Sequence, residues 1–240
     1  MVTWGTYIAV FGVLLVGSTV QSAAGFGLGL ISAPLLRLLH APLLPGPIVL
    51  AGLVVAISVF VRNSRRTDLP VVTPAIAGRI VGTVIAIGLL ALLSDRGLSI
   101  AIAVVVLGFV ALRLAGVQIA RTTLTLGSAG VVGGIGGTIA ALGGAPMALL
   151  YEQHAKARDF RGPMGWYTVV GGASSVALLV IAGELDGEGA LLGLALMPPV
   201  AIGLVLARWV TPIVDGGFLR PLVLGLSSFS ALALLGGAVF

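Results

Sequence analysis

Gln21-Ser-Ala-Ala-Gly-Phe-Gly-Leu-Gly-Leu-Ile-Ser-Ala-Pro34 returns 112 positions later as Gly133-Gly-Ile-Gly-Gly-Thr-Ile-Ala-Ala-Leu-Gly-Gly-Ala-Pro146. In that register Gly25 falls on Gly137, Leu30 on Leu142, Ala33-Pro34 on Ala145-Pro146 and Leu38 on Leu150. The chain therefore reads as a duplicated unit, with a first repeat at 1–120 and a second at 121–240. Both copies sit in strongly apolar surroundings, yet carry glycine at a density that a helix interior resists by ~1 kcal/mol per residue relative to alanine. Each segment is expected to break in its middle, near Gln21–Gly27 in the first copy and near Gly133–Thr138 in the second.

Those surroundings set the class. The chain is 58% hydrophobic and only 9% charged, with a mean hydropathy of +1.19, whereas a soluble domain carries about 25% charged residues. The expectation is an all-α, polytopic membrane protein. Cysteine is absent and the two histidines, His40 and His154, lie at segment ends, so neither a thiolate or histidine metal site nor a cysteine nucleophile is expected. The net charge of +5 comes from arginines scattered between apolar segments, which is the pattern of topology signals and not of nucleic-acid binding. The first apolar segment lacks the flanks of a cleaved signal peptide and is expected to be retained.

Charges and prolines divide the chain into eight apolar segments, at 4–39, 43–61, 71–93, 97–115, 122–150, 163–183, 189–209 and 218–239. Two stretches read as loops, Arg62-Asn-Ser-Arg-Arg-Thr-Asp68 and Glu152-Gln-His-Ala-Lys-Ala-Arg-Asp-Phe-Arg161. As one helix the first segment would reach about 54 Å, against a hydrocarbon core of about 30 Å. A hairpin that enters, breaks and returns fits instead. The fifth segment is short enough to pass as one tilted helix, so its hairpin reading rests on its match to the first.

Charge tests both. With two single crossings the basic residues divide almost evenly between the sides. With two re-entrant hairpins, ten of the thirteen collect on one side, leaving Arg37 and Arg96 on the other with Glu184, Asp186 and Glu188, and Arg79 inside a span. Cytoplasmic loops carry the Lys/Arg excess, which favours the re-entrant arrangement with both termini external. A hairpin plus three spans per repeat crosses an odd number of times, so the two repeats are expected to be inverted, the architecture in which many carriers hold a midplane site between broken helices.

The motifs themselves resemble the sulfite exporter TauE/SafE family of membrane permeases. The resemblance rests on Gly25-Phe-Gly-Leu-Gly-Leu-Ile-Ser-Ala-Pro-Leu-Leu36, on Gly130-Val-Val-Gly-Gly-Ile-Gly-Gly137 followed by Pro146, and on Arg161-Gly162 opening the sixth segment. Leu28 and Thr138 stand where the family often has further glycines. It implies a secondary carrier, with export favoured, for small sulfur-containing anions such as sulfite, sulfonate or sulfoacetate, located in the cell membrane. A membrane enzyme or accessory subunit without transport is the alternative, although no His-Glu-x-x-His, Gly-x-Ser-x-Gly or Walker pattern occurs. No cofactor is expected. The expected partners are a small anion, membrane lipid and at most a second copy of the chain in a homodimer.

A half-helix that starts at the midplane offers free N–H groups and the positive end of its dipole to an anion. The candidate substrate-binding residues are accordingly Gln21, Ser22, Gly25 and Gly27 at the first break and Gly136, Gly137 and Thr138 at the second. The competing reading is that these glycines only allow close helix packing, which is the favoured reading for Gly12, Gly17, Gly82 and Gly203. Arg79 joins the candidates as the one charge inside a span, with snorkelling toward the nearer surface as the equal alternative. Ser58, Tyr167, Thr168 and Ser174 are weaker candidates. All eight acidic residues fall in loops or at segment ends, so a proton relay through an intramembrane carboxylate is not expected, and the run at 184–188 lacks the calcium-loop spacing.

Overall fold

In a computed structural model the chain is described over residues 4–63, 69–116, 118–152, 157–215 and 219–239. The described residues form helices without strands: α1 (Trp4–Ala24), α2 (Leu28–Leu39), α3 (Gly46–Asn63), α4 (Leu69–Leu90), α5 (Asp95–Leu114), α6 (Thr123–Ala140), α7 (Ala145–Glu152), α8 (Ala157–Ile181), α9 (Gly187–Ala195), α10 (Met197–Asp215) and α11 (Leu219–Val239), with a 3-10 turn at Ala41–Leu43. Among the described residues seven helices are long and apolar enough to cross a membrane, or eight with α9 and α10 taken as one span bent by 41°. This is the expected set of eight segments. The loops read at 62–68 and 152–161 fall largely outside the described residues.

Helix starts follow local chemistry. Ser94 Oγ accepts from Gly97 N at the head of α5 (3.2 Å), and Asp186 caps α9 through Gly189 N (2.7 Å). Thr122 and Thr125 cap each other reciprocally at the head of α6, which satisfies N–H groups that have no partner within the helix. The bend between α9 and α10 was not expected. It follows from Met197-Pro198-Pro199, since two consecutive prolines supply no N–H to the preceding turn and suit the first turn of a new helix.

Both glycine-rich segments are hairpins. In the first, Gly25 (φ 85°) and Gly27 (φ 137°) take backbone angles that other residues resist, and α2 returns along α1 so that Ser32 Oγ donates to Val13 O (3.3 Å). In the second, α7 turns back until the Tyr151 ring lies 4.5 Å from the Arg121 guanidinium just before α6. The second break sits at Ala141–Gly144, about one helical turn beyond the expected Gly133–Thr138, because those residues are still helical. Ala141 takes the left-handed conformation (φ 52°), and Gly136 O accepts from the N–H groups of both Ala141 and Leu142. Ala145-Pro146 then opens α7, where proline is at home, whereas Pro34 lies inside α2.

Packing between the halves is reciprocal. The α4 backbone lies against α6: a Cβ added at Gly78, Gly82, Gly130 or Gly134 would collide with the carbonyl of Gly127, Val131, Ala75 or Arg79 respectively. On the other flank α10 lies against α1, where a Cβ at Gly203 would strike Ser18. Thus Gly82 and Gly203 are packing glycines, as is Gly17 against Ser32, while Gly12 faces open space. α3 and α8 run antiparallel, with Phe60 edge-on to Trp166 (4.9 Å between centroids) at one end and Leu53 against Gly172 further along. α5 and α11 are likewise antiparallel, the start of α5 (Asp95, Arg96) and the end of α11 (Gly237, Ala238) sharing one surface opening.

Candidate functional site

The two hairpin tips meet. A Cβ at Gly144 would lie 3.1 Å from Gly25 O, and one at Gly29 would collide with the carbonyls of Ala140 and Ala141. Around this junction lies a cavity of about 30 Å³, lined by Gln21 from the first tip, Gly137, Ala141, Gly143 and Gly144 from the second, Arg79 from α4, Thr168 and Gly172 from α8, and Val49, Gly52, Leu53 and Ala56 from α3. Its depth follows from the spans that wall it. Gly52, Arg79 and Gly172 each fall within two residues of the middle of the apolar spans Ala41–Arg62, Val72–Leu90 and Gly162–Ile181, so the tips meet beside the middle of the spans that wall them.

Arg79 is the centre of this arrangement. It is 4% exposed, and its Nε and Nη1 have no hydrogen-bond partner, a rare condition for a buried charged group. The guanidinium carbon stands 4.9 Å from the centre of the Tyr167 ring, a cation–π contact, and the buried Tyr167 hydroxyl is also without a partner. Glycines make room for the fork. A Cβ at Gly143 would overlap Nη1, one at Gly171 would overlap Nε, and one at Gly137 would lie 2.6 Å from Nη2. Snorkelling is therefore not what Arg79 does: its head points into the molecule at mid-depth.

The other candidates separate. Gln21 lines the cavity and also caps α2, its Oε1 accepting from Leu28 N (3.0 Å), which leaves its NH2 as a donor. Replacing Gln21 by alanine should cost about 1 kcal/mol of stability for the lost cap, read as a lower midpoint in thermal unfolding of the purified protein. Gly25 shapes the tip. Gly27 turns inward on Val20, and Gly136 faces Val105 of α5, so neither reaches the cavity. Ser22 has a buried, unpartnered hydroxyl but is not among the lining residues. Thr138 Oγ1 pairs with Ser175 Oγ (2.9 Å), which stands 3.5 Å from Thr83 Oγ1, so its hydroxyl joins helices beside the cavity and is not among the groups that line it.

Gly143, Gly144, Gly171 and Gly172 are the residues sequence reasoning passed over. The signal for the first two was present, since they directly precede the Ala145-Pro146 that starts the return helix. A larger apolar groove of about 360 Å³ lies between α5 and the second hairpin; with no charged residue lining it, it lacks the chemistry to hold an anion. At one end of the molecule Arg37 pairs with Asp95 (2.8 Å), sharing an opening with Glu184. At the other, Arg62 reaches Leu204 O (3.5 Å) on α10, one turn from Arg208.

No curated protein and no solved structure matches the chain. The family model for the sulfite exporter TauE/SafE matches residues 9–234, which takes in both hairpins and every span that walls the cavity. The protein is thus a multi-pass membrane permease of exporter type that belongs to the sulfite exporter TauE/SafE family.

Proposed function

We propose that the protein is a secondary carrier that exports a small sulfur-containing anion, such as sulfite, a sulfonate or sulfoacetate, by alternating access, with Arg79 as the group that holds it. The observation that carries this reading is the buried guanidinium with two unpartnered N–H edges at the junction of the tips. A planar fork of donors suits the oxygens of such an anion. The Gln21 amide and the backbone of Gly143 and Gly144 supply further donors around the same space. A cavity of 30 Å³ has room for about one water, so the tips must separate before an anion can enter.

Inverted repeats are part of the proposal, because they let one hairpin open while the other closes. Supporting them are the antiparallel pairs α3 with α8 and α5 with α11, each made of corresponding segments from the two halves. The reciprocal packing of α4 on the second hairpin and of α10 on the first adds to this. The antiparallel α3 and α8 also fit a re-entrant second hairpin, since a single crossing there would make them parallel.

Titration of the purified protein with sulfite and sulfoacetate, followed as a rise in melting temperature, tests the site. Arg79→Gln should weaken binding roughly tenfold or more, the worth of about 1.5–3 kcal/mol for a hydrogen bond to a charged group. Arg79→Lys should keep part of the affinity, through charge without the fork. Unchanged affinity in Arg79→Gln would refute this site. Wild-type protein that gives no flux in proteoliposomes would favour the accessory-subunit alternative.

A further inference from the structure

The charge balance of the cavity bears on how transport must run. Arginine cannot shed its proton, so the Arg79 charge is permanent. Among the described residues no carboxylate pairs with it. Asp95, Asp186 and Glu188 cap or open α5 and α9 and Glu184 lies between α8 and α9, and Asp68, Glu152, Asp159 and Asp215 stand at least eight positions along the chain from any residue that lines the cavity. The remaining polar neighbours, Gln21, Thr168 and Tyr167, are neutral. The bare site thus carries one full positive charge at mid-depth, and becomes neutral only when a monoanion occupies it.

From this we infer that the protein is an electroneutral exchanger of monoanions, one entering for each that leaves. The inference rests on Arg79 being the anion site. A carrier that reorients must pass its binding group through a closed state in which water is squeezed out, and an unpaired charge is costly in that state while a hydrogen-bonded ion pair is far less so. The loaded form reorients readily and the bare form slowly. The loaded form also moves no net charge through the membrane field, whereas the bare form does. A dianion, sulfoacetate at neutral pH among them, would leave the site with a net negative charge, so of the anions proposed above the favoured cargo is a simple sulfonate or the hydrogensulfite form of sulfite.

Methanesulfonate, which stays a monoanion across the usable pH range, is a clean probe. Wild-type proteoliposomes are filled with either unlabelled methanesulfonate or gluconate, and uptake of radiolabelled methanesulfonate is followed at imposed potassium-diffusion potentials of either sign. The expected result is uptake at least tenfold faster into the methanesulfonate-filled vesicles, at a rate indifferent to potential. Equal rates into the two kinds of vesicle, or exchange that responds to potential, would overturn the exchange mechanism while leaving the anion site intact. Absence of saturable uptake in both, or uptake that Arg79→Gln leaves unchanged, would remove the site itself and the exchange mechanism with it.

Discussion

Arg79→Met should raise the melting temperature of the purified protein while reducing anion transport to background. The two effects have one cause. In the native protein a guanidinium is 4% exposed with no carboxylate paired to it among the described residues, and the cation–π contact with Tyr167 returns about 2 kcal/mol. Desolvation of an unpaired ion costs several kcal/mol. Methionine is flexible enough to fill the vacated space, and replacing buried charge by apolar side chains often stabilises by about 1–4 kcal/mol. Differential melting in detergent together with flux in proteoliposomes provides the check. A fall in melting temperature would mean that Arg79 serves the fold. A rise with transport lost would show stability given up for a binding site, the usual trade at such positions.

Alanine at Gly171 and alanine at Gly82 should fail in opposite ways. At Gly171 the added Cβ would overlap Arg79 Nε, the far end of a flexible side chain, which can swing aside. The helix gains about 1 kcal/mol from alanine over glycine, so folding is preserved or improved. Transport should fall at least tenfold, because the displaced fork no longer aims at the cavity. At Gly82 the new Cβ would meet the carbonyl of Val131, with the Gly134 Cα also close at 3.0 Å. Backbone cannot swing aside, and overpacking of this kind costs about 1–3 kcal/mol or more, enough to cancel the helical gain. Melting temperature and yield should drop together. If Gly171→Ala lost stability and kept its affinity for sulfite, its role would be packing and the cage around Arg79 would have no functional meaning.

These two glycines also mark what could and could not be read from the sequence. Segment number and order were legible because spans declare themselves through hydropathy and length, and the first break was legible because 36 residues cannot form one crossing. The second break was misplaced by about a turn. Gly133, Gly134, Gly136 and Gly137 are helical, and make room for Tyr167, α4, α5 and Arg79 respectively. Counting glycines does not distinguish those that break a helix from those that let it be approached. Pro146, which fixes where the return helix starts, was the better guide. The orientation of Thr138 was not legible for a related reason: a hydroxyl near a break says nothing about which face it occupies, and this one turns to Ser175. For Arg79, distance along the helix to the surface left snorkelling open. The flanking Gly78 and Gly82 mark the adjoining helical surface as the one pressed against α6, and so hinted that the charge turns inward.

The reciprocal contact of α4 with α6 and of α10 with α1 also bears on the order in which the protein can be made. Helices enter the membrane from the N-terminus onward, so α1 and α4 are in place before the helices whose backbones they must touch have been synthesised. The Gly78 and Gly82 face of α4 and the Ser18 face of α1 meet lipid in the meantime. In a bilayer, helix association is driven by close packing of small residues, and such surfaces pair weakly with acyl chains, so they stay available. The first half cannot complete its own packing until α10, the last helix but one, has arrived, whereas every helix that lines the cavity around Arg79 is present once α8 has been made. The walls of the site can therefore gather midway through biosynthesis, while the outer flank of α1 is covered only when α10 is made near the end of translation.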